Sequence, residues 1–131
     1  MRRRRVGPRD ERGSAVVDVV LVSTLVLAVF LGVFQLGFAL YARNTLISCA
    51  SEGARYGARA DSDPAQGVAR TRELIAASLS ARYAQDVTAG AETVDGVRVV
   101  VIRVRAPLPV FGPLGVDGGL DVVGRAVEEN Q

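Results

Sequence analysis

The chain has 131 residues, of which 49% are hydrophobic and 23% charged, and its formal net charge at pH 7 is +2. This length leaves room for one membrane span and one small domain, and excludes a second globular domain. With no histidine and a single cysteine, the composition argues against the common zinc sites and against histidine-based hydrolases. We therefore expect no enzyme: no catalytic residue, no metal, no cofactor and no small-molecule substrate.

The positive charge is concentrated in a leader formed by residues 1–13. Six arginines stand there against Asp10 and Glu11, so the leader carries +4, and subtracting this from the +2 of the whole chain leaves −2 for the remainder. A sequence pI near 9.2 consequently reflects the leader and predicts no nucleic-acid partner.

An apolar run follows the leader. Residues 19–42 contain no charge, and as a helix they extend roughly 36 Å, enough to cross a hydrocarbon core of about 30 Å. The basic flank predicts a cytoplasmic N-terminus and an exterior C-terminal domain, anchored by one helix in the lipid of the cell (inner) membrane. The run is too long for an ordinary secretory signal, and a lipoprotein-like box that ends at Cys49 is separated from it by Arg43 and Asn44.

Gly13, Ser14 and Asp18 form a constellation at the start of this run. An acid inside a spanning helix costs roughly 2.5 to 3.5 kcal/mol at the bilayer centre, so it usually serves a partner. In one interpretation Asp18 lies near the cytoplasmic interface, where the helix dipole favours an anion. In the other, cleavage after Gly13 frees the α-amine of Ser14, which pairs with Asp18 of an adjacent subunit and sets the axial register.

Small residues continue along the same helix. Ala28 and Gly32 form a small-xxx-small pair within the membrane, and a sparser series of small residues that includes Gly53 and Gly57 continues beyond it. Such pairs allow helices to approach closely. Because glycine and alanine are also common in membrane helices generally, each single pair leaves both interpretations open.

Three stretches carry a family resemblance: ERGSAVVD at residues 11–18, LYARNTL at residues 40–46 and ASEGARYGAR at residues 50–59. Together with the apolar run between them, they resemble the TadE-like family, the minor pilins or pseudopilins of tight-adherence (Flp-type) pilus systems. The resemblance implies cleavage after Gly13 by a membrane-embedded prepilin peptidase. It also implies that other pilin-like subunits and a pilus assembly platform are partners.

The exterior motif of the family coincides with five residues of this chain: Glu52, Gly53, Ala54, Arg55 and Tyr56. The helical spacing of Glu52 and Arg55 also fits a surface ion pair worth a few tenths of a kcal/mol. We expect a packing role for the motif and no catalytic one.

The fold expected is α+β, with the long N-terminal helix extending outside the membrane to about residue 59. Asp63 and Pro64 predict the start of a second, amphipathic helix over residues 64–84. Strands follow at residues 86–93, 97–106 and 120–127, with a turn at Asp95 and Gly96 and a loop over residues 107–119. Val100, Ile102 and Val104 are assigned to the core.

These elements predict three domains: a basic prepilin-type leader (1–13), a transmembrane helix with its exterior extension (14–60) and a small exterior α+β domain (61–131). Cys49 is interpreted as a small packing residue, although an exterior location also permits an intermolecular disulfide.

Two functions remain open. The first is a minor pilin-like subunit, processed after Gly13, that acts in pilus assembly or a related secretion apparatus. The alternative is an uncleaved single-pass envelope protein whose exterior domain binds a protein partner.

Overall fold

A computed structural model describes residues 11–108 and 119–129. Its elements in chain order are helix α1 (Glu11–Gly57), helix α2 (Pro64–Ser78), a short 3-10 helix (Ala81–Ala84) and strands β1 (Asp86–Val94), β2 (Val97–Pro107) and β3 (Gly119–Val127). The strands form an antiparallel sheet in the order β1-β2-β3. The predicted α+β fold, with a long apolar N-terminal helix, a second helix and a small three-stranded sheet, is confirmed.

The chain divides into two compact units, Met1–Leu36 and Gly37–Gln131. In the described part of the first unit, the large apolar side chains from Val16 to Leu36 are 50–66% exposed. A helix that is apolar around its whole circumference requires lipid or other helices as its surroundings. The hydroxyl of Thr24 donates to the carbonyl of Val20 at 2.7 Å, so this polar group is satisfied within the helix itself.

Helix α2 begins where the sequence predicts and ends earlier. The carboxylate of Asp63 accepts a hydrogen bond from the backbone N–H of Gln66 at 2.9 Å, and Pro64 occupies the first turn. The helix ends at Ser78 because Leu79 leaves the helical region, with φ −122° and ψ −88°. The 3-10 helix that follows still buries Tyr83 to 8% exposure, which explains why the apolar spacing continued past the true end of α2.

The hairpin of β1 and β2 turns through Asp95 and Gly96, whose φ angles of 51° and 81° fit a two-residue type I′ turn. The predicted core residues of β2 are confirmed: Val100, Ile102 and Val104 are 1%, 0% and 0% exposed.

The opposite face of β2 holds two further buried side chains, Val99 and Val101, which are 9% and 6% exposed. Arg125 of β3 reaches Glu92 of β1 at 3.9 Å. Because the two residues belong to the outer strands, their side chains cross over β2. Long charged side chains can shield apolar groups in this way, which accounts for the burial of the two valines.

The core of the second unit is shared by the end of α1, α2, the 3-10 helix and the sheet. Its buried members are Leu46, Cys49, Ala50, Ala54, Ile75, Tyr83, Ala84, Val87, Ile102, Val104, Ala106 and Val122. A side chain on Gly124 of β3 would overlap the backbone of Ala50, so α1 lies directly against this strand. The loop predicted over residues 107–119 falls mainly on residues outside the described part.

Candidate functional site: the processing and packing segment of α1

The three residues predicted for processing and subunit pairing lie in the first turns of α1. Gly13, Ser14 and Asp18 are exposed, and Ser14 and Asp18 share one helix face because they are four residues apart. A side chain added to Gly13 would meet nothing within 4 Å. The conformation of the described chain therefore gives no steric reason for a glycine at this position.

The four small residues predicted for helix packing fall into two groups. Ala28 and Gly32 are exposed on the apolar part of α1, and a side chain added to Gly32 would meet nothing within 4 Å. Gly53 and Gly57 are buried and face α2 of the same chain. The first pair is thus available to a second molecule, whereas the second pair serves the fold.

The crossing of α1 and α2 is unusually close. A side chain on Gly67 of α2 would lie 2.6 Å from the carbonyl oxygen of Gly53 and 3.2 Å from Cα of Gly57. Next to it, Thr71 is completely buried, and its hydroxyl donates to the carbonyl of Gly67 at 2.8 Å. Sequence reasoning missed Gly67 and Thr71 as partners of α1, although their spacing of four residues is itself a small-xxx-small signal.

The exterior motif is partly buried and partly in solvent. Gly53 and Ala54 are buried, while Glu52 and Arg55 form a loose ion pair of 3.9 Å with side chains 46% and 73% exposed. An exposed pair of this kind contributes little stability. The half-buried ring of Tyr56 lies 5.2 Å from the guanidinium carbon of Arg59, a distance that suits a cation–π contact.

Cys49 lies in the core of the second unit and is 6% exposed. Burial raises the pKa of its thiol, and a hydrogen bond with the Ser78 side chain opposes that shift. A buried thiol that resists ionisation behaves as a packing residue, because the thiolate is the reactive form.

Across residues 11–108 and 119–129, no group of three or more His, Cys, Asp or Glu side chains is placed to hold a metal ion. The groups that the sequence singled out offer helix packing, one exposed acidic side chain near the start of α1 and surface charge. In the described residues, α1 is the one helix long and apolar enough to cross a membrane. The described residues thus contain one candidate membrane-spanning helix and a small α+β module.

Residues 13–55 match the model of a family described as TadE-like protein. The match begins at Gly13 and ends at Arg55, inside the exterior motif, so the predicted resemblance is confirmed over this segment. The matched segment lies within helix α1, and the similarity to this family extends over that helix alone. Comparison with curated proteins and with solved structures finds no significant match.

Proposed function

We propose that this chain is a minor pilin-like subunit that is cleaved after Gly13 by a prepilin peptidase and acts in the assembly of a tight-adherence pilus or a related secretion apparatus. The observation that carries the proposal is the match over residues 13–55, whose first residue is the glycine at the end of the basic leader. A side chain at Gly13 would meet nothing within 4 Å in the described fold, so a substitution there tests processing without disturbing packing within the chain.

The proposal gives the apolar part of α1 two successive environments. Before assembly it lies in the cell membrane with the arginine-rich leader in the cytoplasm and the α+β module outside. After cleavage, the new α-amine of Ser14 pairs with Asp18 of a neighbouring pilin-like subunit as the helices leave lipid and pack together. The exposed side chains along this helix, at 50–66%, supply the apolar surface for that packing. The role is structural: a chain with no histidine and one cysteine is poorly equipped for catalysis.

Processing is tested by determining the N-terminus of the protein from its native host by mass spectrometry. A mature chain that starts at Ser14 supports the proposal. Gly13→Leu should leave the leader attached, whereas Gly37→Leu should not affect cleavage. Gly37 is a matched control because a side chain there also meets nothing within 4 Å. An intact leader on the native protein would refute processing and leave the uncleaved envelope anchor.

The pairing role of Asp18 is tested separately. Asp18→Ala should leave membrane insertion intact while co-purification with a second pilin-like chain falls. Asp18→Glu keeps the charge and should preserve co-purification. Loss of insertion in Asp18→Ala, with normal association of the protein that remains, would contradict the pairing.

A further inference from the structure

Both outer strands of the sheet present edges to which the described residues add no further strand. Strand β1 is nine residues long and reads DVTAGAETV, with none of the proline, lysine or arginine residues that commonly protect an edge. Such an edge is a template for another strand, because its outward N–H and C=O groups lack strand partners.

In an antiparallel strand pair, alternate residues direct their backbone N–H and C=O groups toward the partner strand, and the residues between them direct these groups outward. The two-residue turn makes Val94 and Val97 the closing hydrogen-bonded pair, so residues 87, 89, 91 and 93 of β1 face away from β2. At the other side, the N–H of Glu128 donates to the carbonyl of Arg98 at 2.9 Å. This bond sets the even-numbered residues of β3 toward β2 and the odd-numbered residues, from Gly119 to Val127, outward.

We propose that β1 of one copy of this chain pairs in parallel with β3 of a second copy. Both strands are antiparallel to β2 and therefore run in the same direction. Two copies displaced side by side in one membrane, without rotation, bring β1 of one copy beside β3 of the other as parallel strands. This step rests on the membrane anchoring in the proposed function.

Strand length and charge select the register of the pairing. Strands β1 and β3 each contain nine residues, and end-to-end alignment leaves none unpaired. In this register Glu92 lies beside Arg125 of the second copy. The two side chains are 52% and 59% exposed, and within one chain their charged atoms are 3.9 Å apart. Each side chain can therefore exchange this loose partner for the one in the second copy. The alignment also joins Val94 and Val127, which are 50% and 61% exposed.

The nearest alternative register is disfavoured by like charges. Within one chain, Arg105 of β2 pairs with Asp86 on one side and with Asp121 on the other. If the second copy continued the sheet in this same register, its Asp121 would lie beside Asp86. Like charges directly opposite each other destabilise a strand pair. A shift of two residues from this arrangement produces the end-to-end register and removes the conflict.

The helix side of β1 also accommodates the second copy. Ala89 and Ala91 have their side chains on the core face of the sheet but are exposed. In the end-to-end register Ala91 lies beside Gly124 of the second copy, the residue against which the backbone of Ala50 packs. The α1 helix of the second copy is thereby brought toward the two exposed alanines. The second copy thus supplies three things to the edge of β1: a parallel strand, the positive charge of Arg125 beside Glu92, and apolar cover for the exposed alanines.

Disulfide trapping in membranes tests the inference. Two differently tagged full-length chains, both with Cys49→Ala, are co-expressed, one with Val94→Cys and the other with Val127→Cys, and oxidised mildly. We expect a mixed dimer that disappears on reduction. The register control combines Asp86→Cys with Asp121→Cys and should give no dimer. Absence of the first dimer, or equal yields from the two combinations, would overturn the inference.

A charge exchange in trans separates the pairing between copies from the ion pair within one chain. Glu92→Arg in the Val94→Cys chain should reduce the dimer because it faces Arg125. Adding Arg125→Glu to the Val127→Cys chain should restore the yield. Failure of this rescue would contradict the register. In a third arm, Ala91→Pro removes an outward N–H and should abolish the dimer, and an undiminished yield would count against strand pairing.

The same membrane sample also reports on the proposed function. Mass spectrometry of its N-terminus shows whether the leader has been removed, independently of the disulfide. A dimer with the leader intact would refute processing alone. A cleaved chain without the dimer would refute the strand pairing alone.

Discussion

The crossing of α1 and α2 at Gly67 provides a quantitative test of the fold. In Gly67→Ala the new methyl group would lie 2.6 Å from the carbonyl oxygen of Gly53, whereas ordinary contact begins at 3.4 Å. The helices must therefore separate by the difference of these two values, about 0.8 Å, since the neighbouring atoms belong to backbone and no side chain can rotate away. Overpacking of this kind costs about 1–3 kcal/mol, and the better helix propensity of alanine offsets about 0.5–1 kcal/mol. From the midpoints of these ranges, about 2 and about 0.75 kcal/mol, we expect a net loss of about 1 kcal/mol.

The assay uses the single cysteine of the full-length chain in detergent. Cys49 is buried and hydrogen-bonds Ser78 of α2, so alkylation of its thiol reports opening of this helix pair. When opening is a rapid pre-equilibrium, a loss of about 1 kcal/mol raises the labelling rate about fivefold. Gly90→Ala is the control, since a side chain there meets nothing within 4 Å, and its labelling rate should match wild type. A Gly67→Ala rate equal to or below wild type would refute the close crossing.

Four further changes have calculable outcomes. Leu46→Ala removes a fully buried side chain and should reduce the free energy of unfolding by about 2–5 kcal/mol in a denaturant titration. Asp63→Ala removes the cap bonded to Gln66 at 2.9 Å and should cost about 0.5–2 kcal/mol in the same titration. Arg98→Ala breaks an exposed 3.2 Å ion pair with Glu128, and a change below about 1 kcal/mol is expected. The raised pKa of Cys49 means that the folded chain retains the thiol proton after the unfolded chain has lost it. Its contribution is complete below the ordinary value of 9.0 and is lost as pH rises from there through the raised value, so between these two values stability should fall more steeply in wild type than in Cys49→Ala.

Each of these outcomes has a result that contradicts it. A Leu46→Ala chain as stable as wild type would place that side chain outside the core, and a neutral Asp63→Ala would remove the cap from the folding energetics. A large loss in Arg98→Ala would mean that the pair supports more than surface charge. Parallel pH curves for wild type and Cys49→Ala would show that the thiol does not titrate differently in the two states.

The elements of the fold were predictable where a local signal determines them. Asp95 and Gly96 specify the turn, and the alternation of Arg103 and Arg105 with apolar neighbours identifies the core face of β2. Helix α2 was predicted to extend too far because Tyr83 continues the apolar spacing, although the backbone has left the α-helix by Leu79. Apolar spacing indicates which side chains are buried, but it does not by itself show the conformation of the backbone at those residues.

The tertiary contacts of the glycines were not predictable in the same way. Gly53 and Gly57 were identified as packing residues, but nothing local in the chain shows that their neighbour is Gly67 of α2. The contact of Gly124 with Ala50 joins residues far apart in sequence. Such contacts depend on how helices and strands pack together. The sequence pattern of one element does not show which residues of another element it contacts.

The final turns of α1 have a practical consequence for handling the protein. Leu46, Cys49, Ala50 and Ala54 supply four of the twelve buried side chains in the described core. A soluble fragment that starts at Pro64 would lack this share of its interior, so water would reach the sheet face that α1 normally covers. A water-soluble version should instead start near Arg43. It then keeps the C-terminal part of α1 that covers the sheet and omits the exposed apolar part of the helix.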